Sequence, residues 1–147
     1  MNMNITKADL TDLEAVTEVF DLYRIFYKQT SDIHNAREFI KERLTNKDSV
    51  IFVAYEEENP VGFVQLYPSF SSVSMKRLWI LNDLYVKETV RGKGLGEKLI
   101  NTAIAYAAET GAKGLLLETA EDNYGAQRLY EKMGFTKESN YFYYYTI

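Results

Sequence analysis

The chain has 147 residues, 46% hydrophobic and 26% charged, which suits one domain with a sizeable core rather than a disordered or fibrous chain. It holds no cysteine and a single histidine, His34, which excludes disulfides, thiolate chemistry and multi-histidine metal sites. A net charge of −4 argues against nonspecific nucleic-acid binding, which runs on clustered Lys and Arg, and no stretch approaches membrane-spanning length.

The opening MNMNITKADL lacks the basic start and apolar run of a signal peptide, so the expected location is the cytoplasm. Ile5 falls in a short first strand. Thr11 to Glu14 reads as a capping box, a hydroxyl and a carboxylate three apart at a helix start. That helix is expected to run to about Gln29 and to bury Leu13, Val16, Phe20 and Tyr23. A second helix near Asn35–Leu44 places Ala36, Phe39, Ile40 and Leu44 on one face. SVIFVAYEE and VGFVQLYPSF read as strands joined by a hairpin turn at EENP, and RLWILNDLYV as the next strand. A glycine-rich segment then leads into a helix ending near Gly111, a good C-terminal cap position. KGLLLETA is apolar enough to predict a strand buried on both faces. NYGAQRLYEKMG is a short helix stopped by Gly134, and YFYYYTI closes the chain as a strand. The order β-α-α-β-β-β-α-β-α-β predicts an α/β (α+β type) fold: a mixed, mostly antiparallel sheet with helices on both faces. The crossover from RLWILNDLYV through the glycine helix to KGLLLETA predicts a parallel pair.

VRGKGLGEKL, residues Val90–Leu99, sets Gly92, Gly94 and Gly96 at a helix entrance with Arg91 and Lys93 among them. Glycine is costly in a helix. Helix N-termini carry free N–H groups and partial positive charge, and glycines let an anion approach them without meeting a Cβ. A phosphate or pyrophosphate ligand is therefore expected. The ATP-type pattern fails, because Gly92-Lys93 is followed by Gly94 instead of Ser or Thr, and the dinucleotide spacing fails as well. A glycine-rich helix entry with no ligand is the bland alternative.

Arg91-Gly92-Lys93-Gly94-Leu95-Gly96 resembles the Arg/Gln-x-x-Gly-x-Gly/Ala signature of the GNAT superfamily of acyl-CoA N-acyltransferases. LNDLYV lies upstream, where that family has its central strand. Downstream, DNYGAQRLYEKMGF resembles its Asn-x-x-Ala-x-x-x-Tyr-Glu-Lys-x-Gly-Phe segment, with Asn123, Ala126, Tyr130, Glu131, Lys132, Gly134 and Phe135 in register. YRIFY, VGFVQLYPSFSS and WILNDLYV look like a branch containing fungal histone or D-amino-acid acetyltransferases and bacterial relatives. The resemblance implies a single N-acetyltransferase domain over residues 1–147, with acetyl-CoA as cosubstrate and no metal.

By that resemblance, the pyrophosphate rests on N–H groups from Arg91 to Gly96. The pantetheine arm pairs like a guest strand with the backbone of Leu84, Tyr85 and Val86, and the Val86 N–H holds the thioester carbonyl. Asp83 accepts the proton of the acceptor amine, directly or through water, or is structural. Tyr130 protonates the departing thiolate, or simply packs. Asn123 and Ala126 touch the pantetheine, with Asn123 also a helix cap. Without a cysteine, direct transfer in a ternary complex is expected. Polyamine acetyltransferases of the superfamily carry a Glu where this chain has Asn82, a departure that counts against polyamine specificity. The acceptor, a small-molecule or peptide amine, is expected among Tyr23, Arg24, Tyr27, Tyr67 and Ser72. Arg24, if it faces the pocket, favours an acceptor bearing a carboxylate. The tyrosine-rich tail is expected to form an edge strand that dimerises or is covered. The rival readings are a noncatalytic acyl-CoA sensor and a nucleotide-phosphate enzyme.

Overall fold

The computed structural model describes residues 2–147. The chain forms two compact units, one running to Leu117 and one spanning Glu118–Ile147. The first contains β1 (Met3–Lys7), α1 (Leu13–Phe26), α2 (Ile33–Asn46), β2 (Val50–Glu56), β3 (Asn59–Ser71), β4 (Lys76–Val86), α3 (Leu95–Glu109) and β5 (Gly114–Leu116). The strands make one sheet in the order β1-β2-β3-β4-β5. The first three pairings are antiparallel and the β4–β5 pairing is parallel, as the crossover through the glycine helix requires.

Side chains alternate across the sheet and so reach two helical layers. Ile51, Val53 and Phe63 point to one face and cluster with Val16, Phe20 and Ile40 of α1 and α2. Phe52 points the other way, its ring 5.5 Å from that of Tyr106 on α3. β2 is buried from Val50 through Ala54 because both of its faces are covered. On the α3 face, Gly62 is required by close approach. A Cβ there would lie 2.8 Å from the Tyr85 carbonyl oxygen and 3.4 Å from Leu95.

Several local expectations are corrected. The capping box lies two residues earlier than Thr11–Glu14. The Asp9 carboxylate accepts the Thr11 N–H at 2.9 Å, and Asp12 accepts the Asp9 N–H at 3.0 Å. Thr11 instead donates its own hydroxyl to Asp9, because the chain first makes a 3-10 turn over Leu10–Asp12. α1 stops at Phe26, where Lys28 turns left-handed (φ 65°) and its N–H closes on the Ile25 carbonyl. α2 is longer than expected, capped by the Asp32 carboxylate on the Asn35 N–H.

β5 is three residues long, not the eight of KGLLLETA, and it is not buried on both faces. Gly114 and Leu115 are half-buried and Leu116 is 48% exposed. The closing strand does not form either. Residues 141–147 take no strand, and Tyr141, Phe142 and Tyr143–Tyr145 are exposed. A strand needs a partner edge, and Glu118–Ile147 contains no other strand for it to pair with. That second unit holds α4 (Tyr124–Lys132), stopped by Gly134 at φ +102°. No helix among the described residues is long and apolar enough to cross a membrane.

Candidate functional site

The β4–β5 ladder ends at Ile80 and Leu116. Beyond it, β4 continues for six residues paired only to β3. Its course changes at a bulge: Gln65 faces Asp83 and Leu66 faces Leu81, which leaves Asn82 as the extra residue. Bulges turn a strand and end pairing on one side. The Lys87 N–H donates to Val61 O at 2.8 Å. By antiparallel alternation, Tyr85 then bonds inward to Phe63, and Leu84 and Val86 turn their N–H and C=O groups away from β3, onto the free edge. The Arg91 Nε confirms this by donating to Val86 O from that side at 2.8 Å.

The free edge meets the start of α3 in one cleft of about 440 Å³. Leu84, Tyr85 and Val86 form one wall, Arg91, Gly92, Gly94 and Gly96 another, and Phe26 closes the side. Gly92 and Gly94 both sit at φ +80°, a conformation other residues adopt only at a cost. Gly94 is the N-cap, so no side chain caps the first turn of α3. Gly96 is different. It has no positive φ, and a Cβ there would meet no protein atom within 4 Å. Neither its backbone conformation nor a neighbouring protein atom requires glycine at 96. Leu95 is buried beneath the turn and holds it against the sheet. Lys93 lines a smaller neighbouring hollow with Met3, Leu95 and Lys98.

Next to this cleft along β4, Asp83 is only 3% exposed. The Gln65 Nε2 donates to its Oδ2, and the Asn82 Nδ2 donates to its Oδ1 at 2.8 Å. Gln65 is itself fully buried, and its Oε1 accepts the Ser49 hydroxyl at 2.8 Å, while the carboxylate, which only accepts, takes the Nε2 end of the amide. Burial pushes the Asp83 carboxyl above its ordinary range, while hydrogen bonds from Gln65 and Asn82 oppose the rise, helped by the nearby Tyr23 hydroxyl, which donates to the Asn82 carbonyl at 3.4 Å. Burial and the nearby Asp83 charge raise the Tyr23 hydroxyl well above its usual value and push that of Tyr67 up to about 12. Both tyrosines therefore stay protonated beside the carboxylate.

Of the expected acceptor residues, Tyr23 and Tyr67 come to Asp83, and Tyr27 sets its ring edge-on to Tyr23 at 5.0 Å. Arg24 is taken up elsewhere, donating to the Thr30 carbonyl at 3.2 Å in the α1–α2 loop. Ser72 lies at the exposed tip of the β3–β4 hairpin, seven residues along from the Gln65–Asp83 pair, about 23 Å of strand. Gln65 and Ser49 were not anticipated. A glutamine in the middle of apolar VGFVQLY was the available signal, since a polar residue in a buried strand must have a partner.

α4 carries the downstream motif. The Asn123 Oδ1 accepts the Ala126 N–H at 3.2 Å and caps the helix. Tyr130 is half-buried, its ring 5.8 Å from that of Phe135. Among the described residues no group of three or more His, Cys, Asp or Glu could hold a metal ion.

The pattern of the acetyltransferase (GNAT) family matches residues 16–135. The chain belongs to the GNAT acetyltransferase family. It is 46% identical over 142 residues to YhfO, an uncharacterized N-acetyltransferase of Bacillus subtilis (strain 168), covering 97% of this chain and 95% of that one. A crystal structure of a probable acetyltransferase superposes with a TM-score of 0.88 at 42% identity, covering 98% of this chain and 96% of that one. An aminoglycoside acetyltransferase from a soil metagenome shares the fold, with a TM-score of 0.87 at 22% identity over 99% of this chain and 96% of its own. The GNAT assignment fits an acyl-CoA N-acetyltransferase.

Proposed function

We propose that this GNAT acetyltransferase moves the acetyl group of acetyl-CoA to a primary amine of a small molecule or peptide by direct attack in a ternary complex. One observation carries the donor half. The start of α3, bare of side chains at Gly92, Gly94 and Gly96, opens into the same cleft as the unpaired Leu84–Val86 edge. Such a cleft offers backbone N–H groups and a positive helix end to a diphosphate, and a strand edge to an amide-bearing arm.

In this reading the N–H groups from Arg91 to Gly96 hold the diphosphate. Leu84 and Val86 pair with the arm, and the Val86 N–H faces the thioester oxygen as it gains charge. The acceptor amine is protonated at neutral pH and must lose a proton before its nitrogen attacks the thioester carbon. Asp83 takes that proton. At 3% exposure it works through an intermediary, water or the Tyr23 hydroxyl. When the tetrahedral carbon expels the thiolate, Tyr130 gives it a proton. Asn123 orients the start of α4 and, with Ala126, lies in the family's donor-binding segment. Tyr23, Tyr27 and Tyr67 line the acceptor side, which favours a cationic amine over an anion because aromatic faces and a buried carboxylate both attract positive charge. The family match over residues 16–135 runs through both compact units and supports one N-acetyltransferase domain. The exposed Tyr141–Tyr145 stretch supports a homodimer, which light scattering would check.

The deciding experiment is thiol release from acetyl-CoA across polyamines, L- and D-amino acids, aminoglycosides and lysine peptides, with an amine-free control. Release with one class above the control names the acceptor. Silence with every class from folded, CoA-binding protein would favour a noncatalytic acyl-CoA sensor. With an acceptor in hand, Tyr130→Phe is expected to lower kcat about 10- to 100-fold and leave CoA affinity intact. Loss of affinity with kcat retained would assign Tyr130 to packing.

A further inference from the structure

The side chain of Arg91 occupies the surface that the donor site needs. Its Nε donates to the Val86 carbonyl at 2.8 Å, on the free edge of β4. Its guanidinium lies 5.3 Å from the centre of the Phe26 ring and 5.6 Å from that of Tyr85. Glu88 lies 3.8 Å from its Nη1. The arm of a bound donor must reach that same Val86 backbone. An arm laid along the edge and an Arg91 folded over it compete for one place.

We propose that Arg91 selects the acyl donor: it closes the strand edge at Val86 and gives it up only to a donor that carries a diphosphate. The inference rests on the donor site described above and adds a discrimination to it. Arg91 is the first residue of the glycine turn, so its guanidinium has a short way to travel from the Val86 carbonyl to a phosphate held on the N–H groups of Gly92–Gly96. The planar fork of arginine matches phosphate oxygens two at a time, and a charge-to-charge bond is stronger than the charge-to-carbonyl bond it replaces. A donor with the diphosphate therefore compensates for opening the edge. A pantetheine arm without one must break the Arg91–Val86 bond and the two ring contacts and gains nothing in exchange.

The side chain of Arg91 is 40% exposed, so its replacement leaves the core untouched. The test is an amide-resolved NMR titration of the wild type, Arg91→Ala and Arg91→Met with two probes, CoA and pantetheine, which lacks the diphosphate and the nucleotide. Alanine removes the stem and methionine keeps it over Phe26 and Tyr85, so agreement between them excludes a packing effect. CoA is expected to bind both variants about tenfold more weakly or worse, and pantetheine to bind both about 3- to 10-fold more tightly than wild type, the size of one net hydrogen bond. Pantetheine that binds the variants no better than the wild type, including no measurable binding to any of the three, overturns the proposal. Failure of CoA to bind the wild-type protein is a separate result and overturns the donor site itself.

Discussion

The two halves of the site are built on opposite plans. The donor cleft is made of backbone: free strand groups at Leu84 and Val86, and a helix start stripped of side chains at three glycines. The Asp83 pocket beside it is made of side chains, and its polar atoms are occupied: Ser49 bonds to Gln65, Gln65 and Asn82 bond to Asp83, and Tyr23 leans on the same carboxylate. In the proposed function the backbone surface recognises what every CoA-type donor shares. A side-chain network sets one proton affinity and is sensitive to each of its members. In the proposed reaction the reusable part is thus held by main chain, and the part that must be tuned is held by side chains.

The largest effect is expected at Asp83. Asp83→Asn cannot accept a proton, and its amide turns a donor toward Gln65 or Asn82, both of which already donate. Acetyl transfer is expected to fall about 10²- to 10⁴-fold, the usual range for losing a general base, with CoA affinity kept. Equal turnover per folded molecule would make Asp83 structural and dissolve the contrast between the two halves. The wild-type pH profile sharpens the same point. In the proposed role Asp83 works only when ionised, and burial raises its carboxyl, so kcat should be lost as pH falls through that raised value. Stability runs the other way. The folded state binds this proton more tightly than the unfolded chain, so Asp83's contribution is fully present below its unfolded value near 3.8 and is lost as pH rises through the folded one. Activity that declined with acidification in parallel with a melting transition would contradict this assignment.

The middle-sized effect belongs to the donor cleft. Gly96→Ala adds a Cβ that meets no protein atom within 4 Å and keeps an ordinary helical backbone. Alanine in a helix is favoured over glycine by about 0.5–1 kcal/mol, so the melting temperature should rise by roughly 1–4 °C. The same Cβ projects where a diphosphate would lie, so CoA affinity should fall about tenfold or more. Opposite signs from one methyl group would show that the glycine is kept for the ligand. A variant more stable and equally tight for CoA would return the turn to plain architecture.

Much of the geometry of the glycine turn was legible in the sequence because it is local. Positive φ at Gly92 and Gly94, a helix beginning at Leu95 and a strand ending at Val86 all lie within a dozen residues of one another. The Asp83 network depends on register instead. Gln65 meets Asp83 only because β3 and β4 pair antiparallel with a bulge at Asn82, and Ser49 reaches Gln65 only through the pairing of β2 with β3. No short-range pattern encodes such a meeting. The start of α1 was misplaced for a different reason: the Asp9 carboxylate accepts both the N–H and the hydroxyl of Thr11, which puts the cap two residues earlier. Arg24 and Ser72 carried suitable chemistry at unsuitable places, one tied to Thr30 O and one at a hairpin tip. The apolar run after Lys113 has strand-forming composition throughout, but its ladder with β4 stops at Leu116, just before the bulge at Asn82 turns β4.

The smallest effect tests how far the network extends. Ser49 is half-buried at the end of β2's approach, and its hydroxyl is the donor seen at Gln65 Oε1. That bond leaves Gln65 Nε2 the end that faces Asp83. Ser49→Ala removes the donor without touching Asp83 or the cleft. The orphaned carbonyl of the fully buried Gln65 should cost about 1–3 kcal/mol of stability. Without Ser49 the amide can turn over once Asp83 is protonated and accept the carboxyl proton at its oxygen, which stabilises the protonated form. A carboxylate facing an acceptor in place of a donor holds its proton more tightly, so the acid limb of the pH–kcat profile should move to higher pH, with the plateau rate nearly unchanged. An unmoved limb alongside the expected stability loss would mean that Asn82 and Tyr23 set the proton affinity of Asp83 on their own, and that the tuned network stops at Gln65.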